Sequence, residues 1–156
     1  EYVKEYITLQ EMRLGSQIHF SFSIEEEAKS LATLRFLLQP LIENSIEHGI
    51  LPSGDFGKIS IRIYQQDGFL YFVVEDTGSQ VDVAEINELL DREECEGKRG
   101  MAIRNIAERI QIKYGKECGL SFRQAPAGGI ITIVKQPAIK YDKAKMRKTD
   151  GSEENA

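Results

Sequence analysis

The stretch Leu37-Leu38-Gln39-Pro40-Leu41-Ile42-Glu43-Asn44-Ser45-Ile46-Glu47-His48-Gly49 sets a carboxamide, two carboxylates and an imidazole into an otherwise apolar run. Leu37, Leu41, Asn44 and His48 follow helical spacing, so a helix built here lays its leucines on a sheet and brings Asn44 and His48 to one rim. A rim of that composition suits a metal ion or a phosphate. The pattern predicts one helix from Leu31 to Ile50, with Pro40 in its first turn or at a kink, and with Gly49 and Pro52 ending it.

On the N-terminal side, Ile18, Phe20, Phe22 and Ile24 alternate with polar residues, the period of a half-buried strand. Before it, Val3, Tyr6, Ile7, Gln10 and Leu14 make an amphipathic helix over Tyr2 to Leu14, stopped by Gly15. On the C-terminal side, Ile59, Ile61 and Ile63 alternate, Asp67-Gly68 is a hairpin turn, and Phe69 to Val74 is apolar enough for a central strand. That strand closes on Glu75-Asp76-Thr77-Gly78. Val83 to Leu90 reads as a short helix, Asp91 to Arg99 as a charged loop, and a helix starting at Gly100 carries Ile103, Ile106, Ala107, Ile110 and Tyr114 on one face. Leu120 to Gln124 and Ile130 to Val134 make a second hairpin around Ala125 to Gly129. The element order predicts an α/β (α+β) two-layer sandwich, a mixed, mostly antiparallel sheet with helices on one face, over residues 1–137. Residues 138–156 read as a disordered polar tail.

With 156 residues, 41% hydrophobic and 29% charged, the chain has the size of one domain with its own core. The net charge of -5 and the lack of a basic stripe with interleaved aromatics exclude nucleic acid as a main partner. Cys95 and Cys118 have neither metal-ligand spacing nor the density of a disulfide-stapled domain, which favours a reducing, cytoplasmic setting. No apolar run reaches the roughly 20 residues of a membrane span, and the start EYVKEYITLQ lacks a signal-peptide shape. It also lacks a methionine, as expected of a piece of a longer protein.

Three separated segments carry chemistry. Asn44 offers an oxygen for a hard cation such as Mg²⁺, which usually keeps waters while bridging substrate phosphates. Asp76, closing a buried strand, offers an acceptor in an apolar pocket, and an adenine amino group is a donor that fits it. Gly97-Lys98-Arg99-Gly100-Met101-Ala102 runs into a helix start, where backbone N–H groups and the helix dipole suit phosphate.

In these segments the chain resembles the sensor histidine kinases of the YesM/LytS type. LLQPLIENSIEHGI is similar to their asparagine box, VVEDTG to their first glycine box, and GMAIRNIAERIQIKYG to the second glycine box with its helix. EYVKEYITLQEMRLG and GGIITIVKQP extend the likeness over roughly residues 1 to 137. The resemblance implies the Bergerat-type ATP-binding fold, with ATP held between the sheet and a mobile lid at 91–99. On it, Asn44 coordinates Mg²⁺, Asp76 binds the adenine amino group with help from Gly78, and His48 lies near the phosphates. Gly100 hinges the lid, Ala102 belongs to the same box, and Asn105 matches an asparagine one turn into the helix. Glu43 stands beside Asn44 as acidic residues do in several ATPases of the superfamily, which makes it a candidate general base. His19 is a solvated strand residue, because Ile18-His19-Phe20 lacks the proline of a phosphoacceptor motif.

The resemblance implies the catalytic domain of a bacterial sensor histidine kinase, lying in the cytoplasm on an inner or plasma-membrane parent. It would pass the ATP γ-phosphoryl group to a histidine on an upstream dimerising segment of a homodimeric parent, with a response regulator as the next partner. Departures from the family pattern are Glu47 for a lysine, Gln80 and Ala102 for glycines, and Ile130 for a threonine. They support an alternative, a nucleotide-binding or pseudokinase regulatory module. A hydrolysing ATPase of the gyrase or MutL sort is a third.

Overall fold

The computed structural model describes residues 2–33, 37–78, 82–91 and 98–140. Among them are the helices α1 (Tyr2–Leu14), α2 (Leu38–Asn44), α3 (Val83–Asp91) and α4 (Lys98–Tyr114). The strands are β1 (Ile18–Ile24), β2 (Gly57–Gln66), β3 (Phe69–Asp76), β4 (Gly119–Gln124) and β5 (Ile130–Pro137). They form one sheet in the order β1-β2-β3-β5-β4, with apolar β3 at the centre. The β1–β2 pair is parallel and the other three pairs are antiparallel, so the mixed, mostly antiparallel sheet expected of the sequence is found.

Alternation decides which face is covered. Ile59, Ile61 and Ile63 of β2, Leu70, Phe72 and Val74 of β3, and Ile130 and Val134 of β5 are buried against Leu41, Ile42, Ile46, Ile103, Ile106 and Ile110 of the helical layer. Each such side chain contributes about 1.5–3 kcal/mol by leaving water. On the opposite face Tyr64 stacks on Tyr71 with ring centroids 5.2 Å apart, and the Lys135 ammonium lies 3.8 Å from the Phe69 ring centre. Asp67 and Gly68 turn the β2–β3 hairpin with φ of 50° and 79°, the left-handed pair that a two-residue turn requires.

The expected helix from Leu31 to Ile50 is three structures. Leu31 forms a bridge with Lys140, and the Ala32 N–H donates to the Ile139 carbonyl at 2.7 Å. The buried Gln136 amide then donates to the Ala32 carbonyl at 2.7 Å and accepts from the Thr33 hydroxyl at 3.2 Å, holding this strap to β5. Helix α2 begins only at Leu38. Pro40 explains the late start: in a helix interior its ring strikes the carbonyl four residues back, whereas in the first turn its missing N–H has no partner to lose. From Ser45 to Ile50 the chain widens into a π-helical segment, and a short 3₁₀ turn (Leu51–Ser53) follows, closed by Gly54 at φ 68°. Gly49 therefore does not end the helix; it is buried inside the π segment.

Two further boundaries move. Helix α4 starts at Lys98, two residues before the expected Gly100, and Asp91 belongs to α3. Residues 138–140, assigned to the tail, still bond to the body: the Ala138 N–H donates to the Gly68 carbonyl at 2.9 Å. Residues 141–156 of that tail lie outside the described residues.

Candidate functional site

The site is built where β3 ends. Asp76 is its last residue, paired across the sheet with Ile59 and only 2% exposed. Its Oδ1 accepts the Gly78 N–H at 3.3 Å. Thr77 anchors the corner, its N–H donating to the Lys58 carbonyl at 3.2 Å while its hydroxyl accepts the Lys58 N–H at 3.0 Å. A carboxylate so deep in apolar surroundings stands where a ligand's donor is worth most.

Two close backbone approaches bring other segments to this corner. A Cβ on Gly78 would sit 2.5 Å from the Gly49 carbonyl oxygen and 3.0 Å from the Ile50 Cα, so the strand end lies directly on the π segment. Gly129, at φ 95° in the β4–β5 loop, lies equally close to the Asp76 backbone, where a Cβ would overlap the Asp76 carbonyl. Only glycine fits either place. Asn44, the last residue of α2, and His48, within the π segment, are both half-buried on the stretch that Gly78 touches. The asparagine run and the Asp76 corner, separate in sequence, thus share one end of the sheet.

The α4 residues fall differently. Gly100 is buried in the first turn of α4, two residues after the helix start. Ala102 is helical as well, a conformation that alanine adopts without strain. Asn105 is exposed on the flank of α4 away from buried Ile103 and Ile106. Of the expected lid, residues 92–97 lie outside the described residues, as does Gln80. Ile130 is buried, next to the Ile131 that pairs with Glu75 at the end of the β3–β5 register, an apolar group where the resemblance leads one to expect a hydroxyl. Among the described residues no three His, Cys, Asp or Glu side chains converge to hold a metal ion.

Glu43 faces α1. Its Oε1 accepts the Tyr6 hydroxyl at 3.3 Å and the Gln39 amide at 2.9 Å. Burial and the Glu43 carboxylate push the Tyr6 phenol above its ordinary range, and exposed Glu47 adds to the same field. Sequence reasoning placed Tyr6 only on an apolar helix face. The signal that finds it is the Gln39/Glu43 pair one turn apart, a polar stripe that needs a donor opposite.

Similarity to known proteins gives the family and the fold. The sequence pattern of the histidine kinase-, DNA gyrase B- and HSP90-like ATPases matches residues 30–140, and the chain belongs to that family. Within it, the chain is 30% identical over 135 residues to the sensor histidine kinase YesM of Bacillus subtilis (strain 168), covering 86% of this chain and 22% of that protein. It is 29% identical over 126 residues to the sensor histidine kinase YpdA of Escherichia coli (strain K12), covering 81% of this chain and 21% of that one. The chain spans about a fifth of the length of the curated relatives it matches. Its fold is that of the nucleotide-free catalytic domain of histidine kinase ThkA, at TM-score 0.64 and 17% identity, over 87% of this chain and 90% of that one. It likewise matches ThkA in complex with the response regulator TrrA, at TM-score 0.62 and 18% identity, over 87% of this chain and 39% of that one. ATP is the nucleotide of this family.

Proposed function

We propose that this chain is the ATP-binding catalytic domain of a sensor histidine kinase, passing the ATP γ-phosphoryl group to a histidine on another segment of its parent. The observation that carries the reading is the contact of Gly78 with Gly49, which sets buried Asp76 beside the run bearing Asn44 and His48. Asp76, oriented by the Gly78 N–H, accepts the adenine amino group. His48 stands toward the phosphates, and the first turns of α4, with Gly100, Ala102 and Asn105, offer a helix N-terminus to them. The Asn44 amide oxygen is a hard donor on a half-buried rim, a fit for Mg²⁺; the ion when bound would neutralise charge on the transferring phosphoryl group. This chain's own part is to hold and orient the nucleotide and to keep water from it. The parent is proposed to be a homodimeric bacterial membrane protein whose next partner is a response regulator, as in the ThkA complex with TrrA.

Calorimetric titration with ADP and Mg²⁺ tests the reading. Wild-type chain binds in the micromolar to low-millimolar range, and Asn44→Ala weakens Mg²⁺-dependent binding about tenfold, or ~1.4 kcal/mol. No heat of binding at millimolar ADP contradicts it. A regulatory module without catalysis is the second reading, favoured by exposed Glu47 at the position of the family's lysine. Nucleotide binding with no phosphoryl transfer in the intact parent separates the two.

A further inference from the structure

Glu43 lies next to Asn44, yet its carboxylate is engaged elsewhere. A single oxygen accepts two donors, Tyr6 from α1 and Gln39 from one turn earlier on α2. The Tyr6 bond joins helices whose partners are 37 residues apart, between groups that are only half-exposed. The Gln39 bond at 2.9 Å is of ordinary length and the Tyr6 bond at 3.3 Å is long for a hydroxyl donor, so Tyr6 acts as a directional tether on Glu43 and not as a strong bond. Adjacent helical positions point about 100° apart, so holding Glu43 against α1 also fixes the direction in which Asn44 projects. Asn44 is the last α-helical residue before the π segment, where the winding of the backbone changes.

We infer that Tyr6 is a positioning residue for the nucleotide site, acting through Glu43 to fix the roll of α2 and the aim of the Asn44 amide. The carboxylate of Glu43 is turned to helix α1. Any shift of α1 along or around its axis is then felt at Asn44. The inference rests on Asn44 acting on the Mg²⁺-bound nucleotide.

The test compares wild type, Tyr6→Phe, Glu43→Ala, Glu43→Gln and the Tyr6→Phe/Glu43→Ala pair by calorimetry with ADP, with and without Mg²⁺. Tyr6→Phe weakens ADP binding about fivefold when Mg²⁺ is present and less than about twofold in EDTA, since a lost bond to a charged acceptor reaches the ligand only through Asn44. Glu43→Ala matches that loss, the pair is no worse than either alone, and Glu43→Gln, which keeps an acceptor for Tyr6, recovers most of it. An affinity for ADP and Mg²⁺ unchanged in Tyr6→Phe overturns the inference, as do losses that add in the pair or that are equal without Mg²⁺. If wild type binds no ADP, the kinase reading itself fails, and amide hydrogen exchange of the nucleotide-free chain then decides. Faster exchange over residues 42–50 in Tyr6→Phe supports the positioning role, and unchanged exchange overturns it.

Discussion

Gly78 and Gly129 hold the Asp76 corner together by having no side chains, and each can be tested singly. Gly78→Ala forces a methyl group to within 2.5 Å of the Gly49 carbonyl oxygen. Backbone on both sides leaves nothing flexible to yield, so a loss of about 1–3 kcal/mol is expected from overpacking, read as a lower urea midpoint with unchanged slope. Gly129→Ala and Gly115→Ala make a controlled pair, since both glycines have positive φ, 95° and 88°, but Gly115 has open space around it. Gly115→Ala is expected to lose only the conformational part, about 1–2 kcal/mol, whereas Gly129→Ala loses more because it also meets the Asp76 backbone. Equal losses would show that the packing against Asp76 is loose.

At the scale of elements, the asparagine run shows what a sequence discloses and what it hides. The apolar positions Leu38, Leu41, Ile42, Ile46 and Ile50 are all buried, as helical spacing demands. Residue types do not reveal that the last six residues of the run, Ser45–Ile50, wind in a wider turn, because a turn of π-helix alters spacing by less than one residue and keeps the same face inward. Alternation in β1 and β2 and the Asp67-Gly68 turn were legible for the opposite reason, since a period of two is unmistakable over five or more residues, and β3 was legible from its unbroken apolar run. The strap at 31–33 was not, because its pairing with 138–140 is set by a distant part of the chain. Asn44 and Asp76 were candidates from residue type and place in the chain, while Gly78 came only from the likeness to a family; burial, visible only in the fold, marks Asp76 as more than a turn residue. Ser45, at the start of the π segment, is 1% exposed and its hydroxyl has no hydrogen-bond partner among the described residues. Ser45→Ala is therefore expected to be neutral or to stabilise by up to about 1 kcal/mol, measured by thermal unfolding. A marked loss of stability would mean that the hydroxyl is bonded in solution.

Among the described residues, Cys118, Tyr6 and Tyr114 are acids whose neutral forms the fold favours. Burial raises the Cys118 thiol above 9.0, and it raises the Tyr6 and Tyr114 phenols above 10.0. In each the folded chain keeps its proton where the unfolded chain has released it, so the stabilisation is complete below the ordinary values and is lost as pH rises through the raised ones. The melting temperature is expected to fall from about pH 9 upward, and a Tyr6→Phe/Tyr114→Phe variant is expected to lose part of that slope. A melting temperature flat across that range contradicts the assignment. The claim on which function depends is that the Asn44 run and the Asp76 corner hold one nucleotide between them. Backbone amide NMR shifts on adding ADP and Mg²⁺ test it most directly. The largest shifts are predicted at 44–50, 76–78 and the first turns of α4, with little change at the far end of the sheet, at Phe22 to Ile24 and Gln65 to Leu70. Shifts gathered at that far end, or none at millimolar nucleotide, would contradict the shared site.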